Sequence, residues 1–170
     1  MMLPDSGSGM SLRAQVSSGP QINTTSGMVI ANSPQVTQYF NYFADSTAAA
    51  KATITISESD LAGDLVAYSR SSISWILGSY STWTGKVYFG HGKASFSVSL
   101  DATSSWTLTG NTVLTNFTDV DTTLSNVHSP GYNLYYDSSS AHNHWLKSAT
   151  KMPGGGFIKP ATKAQLRGSN

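Results

Sequence analysis

The sequence predicts an all-β chain folded as a right-handed parallel β-solenoid (β-helix), with coils of about 22–25 residues and a C-terminal cap. Three observations lead there. One apolar-then-glycine pattern recurs along the chain, each copy opens with a period-2 apolar alternation, and the composition favours strands and turns over helices.

The recurrence is visible in three stretches: ATITISESDLAGDLVA from Ala52, ISWILGSYSTWTGKVYF from Ile73 and FSVSLDATSSWTLTGNTVL from Phe96. Ala52, Ile54 and Ile56 correspond to Ile73, Trp75 and Leu77, then to Phe96, Val98 and Leu100. After a polar stretch each copy gives an apolar residue and a glycine, as Leu61 with Gly63, Trp83 with Gly85 and Trp106 with Gly110. A Leu-Thr insertion delays the third glycine. Further apolar pairs follow at Leu65/Ala67, Val87/Phe89 and Val113/Leu114. A period in the low twenties accommodates two or three short strands and their turns, so equivalent residues stack about 4.8 Å apart into interior columns. Glycine is expected at the corners, where a Cβ clashes. A meandering β-sandwich is the rival architecture, but hairpins favour Asn-Gly and Asp-Gly dipeptides and this sequence has neither.

Charged residues make up only 11% of the 170 residues, and Ser, Thr, Gly and Asn fill the balance. Ser, Thr and Asn compete for backbone hydrogen bonds and glycine weakens helices, so strands and turns are favoured. The formal net charge is +1 with Lys and Arg scattered, which argues against a nucleic-acid partner needing a basic stripe. There is no cysteine, hence no disulfide framework or thiolate metal site. No apolar run approaches the ~20 residues of a membrane span.

Along the chain, residues 1–50 read as irregular N-terminal coils or a cap, marked by Val16, Ile22, Met28-Val29-Ile30 and Tyr39-Phe40. Residues 51–160 read as solenoid coils and C-terminal cap. Within them Tyr132, Leu134 and Tyr136 alternate as a further strand, SSSAHNHW reads as a mobile surface loop, and GGGFIKP closes with a strand ended by proline. Residues 161–170 read as a flexible tail.

SESDLAGDLVAYSRSSISWIL, VSLDATSSWTLTGNTVLTNFTDVDTTLSNV, GYNLYYDSSSAHNHWL and GGGFIKP, in that order between Thr53 and Pro160, carry a resemblance. The segment resembles the C-terminal portion of secreted or surface-displayed parallel β-helix proteins, pectin-lyase-like and adhesin-like, without assigned enzyme activity. The resemblance implies a terminal solenoid section with its cap and an extracellular or cell-surface setting. The opening MMLPDSGSGM does not read as a secretory signal, and the expectation is a fragment of a longer β-helix protein.

The candidate chemistry is thin. Asp119 and Asp121, two apart in FTDVDTT, share a face if they lie on one strand, and Asp101 joins them if its coil stacks alongside. Paired carboxylates suit glycoside hydrolysis or Ca²⁺ ligation, and a polar turn uses the same residues. Asp137 is a fourth candidate for that cluster. His142 and His144, with His128, have the residue types of a metal site, but their surroundings read as loop, so no metal or cofactor is expected. Trp75, Trp83, Trp106 and Trp145 could stack on sugar rings if exposed, yet the first three fall at repeat positions that predict packing. The leading expectation is a non-enzymatic structural or binding module, with carbohydrate or a cell-surface polymer as partner and self-association through an exposed N-terminal coil. The alternative is a carbohydrate-active enzyme, a polysaccharide lyase or hydrolase, using Asp119, Asp121 and Asp101.

Overall fold

Alternating apolar residues build the strands from residue 51 onward, and stacking them in parallel buries their apolar faces one turn against the next. A computed structural model describes residues 2–3, 11–16, 21–32, 50–68 and 70–168. The result is a β-solenoid of about five turns.

Strands β1 (Met2–Leu3), β2 (Ser11–Val16) and β3 (Gln21–Asn32) open the chain. The second turn is β4 (Lys51–Ser57) and β5 (Asp60–Tyr68), and the third is β6 (Ser72–Gly78), β7 (Thr82–Gly85) and β8 (Val87–His91). The fourth is β9 (Ser95–Leu100), β10 (Ser105–Leu108) and β11 (Thr112–Leu114). The fifth is β12 (Asn116–Asp119), β13 (Val127–His128) and β14 (Leu134–Tyr136). The chain then adds β15 (Thr150–Lys151), β16 (Phe157–Pro160) and the short helix α1 (Lys163–Leu166).

Three sheets result. The first has the order β12-β9-β6-β4-β2, the second runs β1-β3-β5-β7-β10-β13 with β8 also on β5, and the third is β11-β14-β16-β15. The pairings between named strands are parallel except β15 with β16.

The register matches the sequence repeat. Ala52, Ile54 and Ile56 pair with Ile73, Trp75 and Leu77, which pair with Phe96, Val98 and Leu100. On the second sheet Leu61 pairs with Trp83 and Trp83 with Trp106. The inserted Leu-Thr has a visible consequence: Leu108, not Gly110, stands over Gly85, and the extra residues are absorbed in the turn before β11. These columns are buried, and each enclosed large side chain contributes about 1.5–3 kcal/mol relative to exposure.

An aromatic stack runs through the core. Trp83 and Trp106 stack with ring centroids 4.7 Å apart and planes nearly parallel, Trp75 leans on Trp83 at 5.6 Å, and Phe117 follows Trp106 at 6.4 Å. The Trp83 indole N–H donates to the Gly63 carbonyl at 2.9 Å, and that of Trp106 donates to Gly85 at 2.9 Å. Each indole thus reaches back to the turn before it. Gly85 is required by this packing rather than by a sharp corner: a Cβ there meets the Gly63 carbonyl oxygen at 2.2 Å and Trp83 Nε1 at 2.6 Å. Glycine takes positive φ in the turns at Gly92, Gly131 and Gly154, while other corners use non-glycine residues there, among them Glu58, Ser79, Tyr80 and Leu124.

Before Ala50, β2 pairs with β4 and β3 with β5, so these two strands extend the stack by a further, irregular layer. Its register slips between Asn23 and Met28, where TTSG interrupts the apolar pattern. Tyr39 and Phe40 lie outside the described residues. The segment after Pro160, expected as a flexible tail, instead carries α1 with a complete capping box between Thr162 and Gln165. The Ala161 N–H donates to Tyr136, which ties this segment to the fifth turn.

A candidate functional site at the aspartate corner

The first and second sheets meet at a column of corners: residues 58–59, 79–81, 101–104 and 120–126, one per turn. Serines fill its inner side. Ser59, Ser81 and Ser104 are buried, and the Ser81 N–H donates to the Ser104 hydroxyl at 3.2 Å. Asp101, Asp119 and Asp121 all converge on this column.

Asp101 follows β9 and organises its own turn. Its Oδ1 accepts from the Thr103 N–H, the Thr103 hydroxyl and the Ser104 N–H, and its Oδ2 accepts from the Ser79 N–H at 2.7 Å. Burial pulls its carboxyl upward, but Ser79, Ser104 and Thr103 outweigh that and hold it below the ordinary carboxylate value.

Asp119 and Asp121 do not share a strand face. Asp119 closes β12 while Asp121 lies beyond the strand, in the turn. Asp121 accepts four hydrogen bonds, from the N–H and hydroxyl of Thr123 and of Ser125. The Ser125 hydroxyl leads in lowering its carboxyl to about 2.

Asp119 has the opposite environment. The register sets it over Leu100 at the end of the interior column Ile56–Leu77–Leu100, and only 5% of it is exposed. Its Oδ1 accepts from the Asp121 N–H at 2.9 Å and the Asn126 side-chain amide at 3.1 Å. Its Oδ2 is buried and has no hydrogen-bond partner among the described residues. Burial raises its pKa to about 6, with smaller upward pushes from the charges of Asp121 and Asp101. Asn126 also donates to the carbonyls of Asp101 and Ser104, which joins two turns through one side chain.

A carboxyl with its pKa near 6 has the protonation behaviour of a general acid. Glycoside hydrolysis also needs a second carboxylate and room between the two for the scissile bond. Asp121 is saturated by four donors and Asp119 is enclosed. Chemically the corner is a set of Asx turns that closes the coils, with one buried carboxyl at its end.

The other candidates fall elsewhere. Asp137 follows β14 at a different corner and accepts from the Ser139 N–H and hydroxyl, repeating the Asp-x-Ser/Thr turn of Asp101 and Asp121. His128 ends β13, and exposed His142 and His144 lie in or beside a single 3₁₀ turn. Among the described residues no three His, Cys, Asp or Glu side chains group to hold a metal. Trp75, Trp83 and Trp106 are core residues, and Trp145 packs on Phe117 at 5.8 Å.

SSSAHNHW, expected as a mobile surface loop, is pinned by Asn143. That side chain is buried and bonded to Phe117, Thr115 and Asp137. Asn126 and Asn143 are the polar residues that sequence reasoning missed. Among the described residues no helix is long and apolar enough to cross a membrane. Comparison with known protein families, curated proteins and solved structures finds no match to this chain, so the β-solenoid assignment rests on the structure itself.

Proposed function

We propose that the chain is a non-enzymatic structural and binding module, a segment of a surface-displayed or secreted β-helix protein of the pectin-lyase-like, adhesin-like kind. One observation carries the reading: the carboxylates that could do chemistry are engaged in holding the solenoid's corners. Asp101 and Asp121 each accept four hydrogen bonds from their own turns or the turn beneath. The outer face of the first sheet supports a binding role. Thr53, Ser74 and Ser97 stack in register there, with Asn116 donating to Ser97 at 2.9 Å, an uncharged ladder of hydroxyls suited to a neutral carbohydrate or cell-surface polymer.

A carbohydrate-active enzyme is the second reading, favoured by the Asp119 carboxyl with its pKa near 6. Incubation of the purified chain with a panel of insoluble and soluble polysaccharides separates the two. Retention on a polymer without release of shorter products supports the module. Polymer cleavage that disappears in Asp119→Ala overturns it. Self-association through the N-terminal coil belongs to the same proposal. Light scattering on the chain without residues 1–50 checks it, and a clean monomer at high concentration counts against it.

A further inference from the structure

The geometry points to a binding site for a phosphate group, free or as a small monoester, under helix α1. A second column of corners connects the third sheet and the end of β8 to the first sheet. Lys93 and Ser95 lie in it at the start of β9, Thr115 before β12, and Asp137 after β14. These corners stack: the Thr115 N–H donates to the Phe96 carbonyl, and the Asp137 N–H donates to Leu114. The C-terminal segment folds back across them. It is fixed at one end by Ala161 on Tyr136 and at the other by Gly168, whose φ is +68° and which packs against Gly92 and Phe89. A Cβ at Gly168 would meet the Gly92 carbonyl oxygen at 2.8 Å.

Between corner column and helix lies a cavity of about 250 Å³. Its roof is Lys163, Leu166 and Arg167, at i, i+3 and i+4 and therefore on one helix face. Lys93, Ser95, Thr115 and Asp137 contribute to its floor. Three cations thus surround a cavity that contains one carboxylate. None of the three makes an ion pair among the described residues. Asp137 Oδ1 is already held by Ser139.

Lys163 and Arg167 at i, i+4 repel each other, and an anion between them and Lys93 converts that repulsion into attraction. Arg offers a planar fork to two oxygens of a tetrahedral anion, the lysines add point charges, and Ser95 and Thr115 bring hydroxyl groups to the lining. With a water's liquid share near 30 Å³, the volume has room for a phosphate or a compact monoester together with bound water.

The test is a titration of the full chain, followed by backbone NMR shifts at pH 7 in low salt, with inorganic phosphate and with glycerol phosphate in parallel. Saturable shifts centred on Ser95, Thr115 and Arg167 are expected with at least one probe. The tighter of the two probes identifies the free ion or the monoester as the fitting form. Lys163→Gln with Arg167→Gln, both at exposed positions, should weaken binding by about tenfold or more. Asp137→Asn retains the Oδ1 acceptor for Ser139 and should tighten binding several-fold. Non-saturating shifts spread over every basic residue, or unchanged affinity in the double variant, overturn the site.

Discussion

The Asn143 side chain stands where a sixth strand would pair with Phe117. Its Oδ1 accepts the Phe117 N–H at 2.7 Å, and its Nδ2 donates to the neighbouring Thr115 carbonyl at 2.9 Å. Trp145 completes the substitution by donating its indole N–H to the Phe117 carbonyl at 3.0 Å. Two side chains therefore occupy the outer edge of β12, the end strand of the first sheet, at Phe117. An open edge is a template for pairing with another chain, so this contact both stabilises and insulates the stack.

Asn143→Ala leaves the buried Phe117 N–H without its acceptor and removes two donated bonds, including one to Asp137 at 2.7 Å. A loss of about 2–4 kcal/mol is expected in urea unfolding. The variant should also self-associate as the β12 edge opens. Light scattering showing a monomer of unchanged stability would remove the capping role.

The tryptophans make a paired comparison. Trp106 is stacked on Trp83 and donates to Gly85, whereas the buried Nε1 of Trp75 has no partner among the described residues. Both Trp→Phe changes lose contact area, but only Trp106→Phe also breaks a hydrogen bond. Its destabilisation should exceed that of Trp75→Phe by about 1–2 kcal/mol in parallel denaturant titrations. Equal costs would mean that the indole–carbonyl bonds contribute nothing net.

Gly85→Ala probes the stacking more severely. The added methyl falls at 2.2 Å from the Gly63 carbonyl oxygen, a backbone atom that cannot move without shifting a neighbouring turn. Destabilisation of about 3 kcal/mol is expected, read as a lowered thermal midpoint. Gly110→Ala is the control, since the nearest obstacle there is the flexible Lys86 side chain, and it should cost much less.

The columns of the core were legible because each is written as alternation at a fixed step: Ile54, Trp75 and Val98 are aligned by the repeat and pair in space. The same rule places Asp119 inside, two residues after Phe117 and over Leu100, but a carboxylate at an interior position reads first as a turn residue. Asp101, Asp121 and Asp137 do carry a sequence signal, Asp-x-Ser/Thr, that specifies their turns. Asn143 carries none, because its partners Thr115 and Phe117 are 28 and 26 residues away and only the coil stacking brings them together. The short helix after Pro160 was hidden by its length: four residues give no periodicity, and only the Thr162–Gln165 capping pair marks it.

Asp119 makes the stability of the fold depend on pH with an unusual sign. Its carboxyl sits at about 6 in the folded chain against 3.8 when unfolded, mainly through burial. The folded state therefore holds a proton that the unfolded state has released, and stability falls as pH rises from about 4 to about 6. The full penalty, up to about 3 kcal/mol, is present above that window. Asp101 and Asp121 are lowered, so their contributions are lost only as pH falls below the ordinary carboxylate value and lie outside it. Asp119→Asn keeps an Oδ1 acceptor for Asp121 and Asn126 but does not titrate. Unfolding free energies at pH 4.5 and pH 7 should differ less in this variant than in the parent chain, with the parent the more acid-favoured. Identical pH profiles for the two proteins would show that the Asp119 carboxyl titrates alike folded and unfolded, and the interior position would then impose no electrostatic cost.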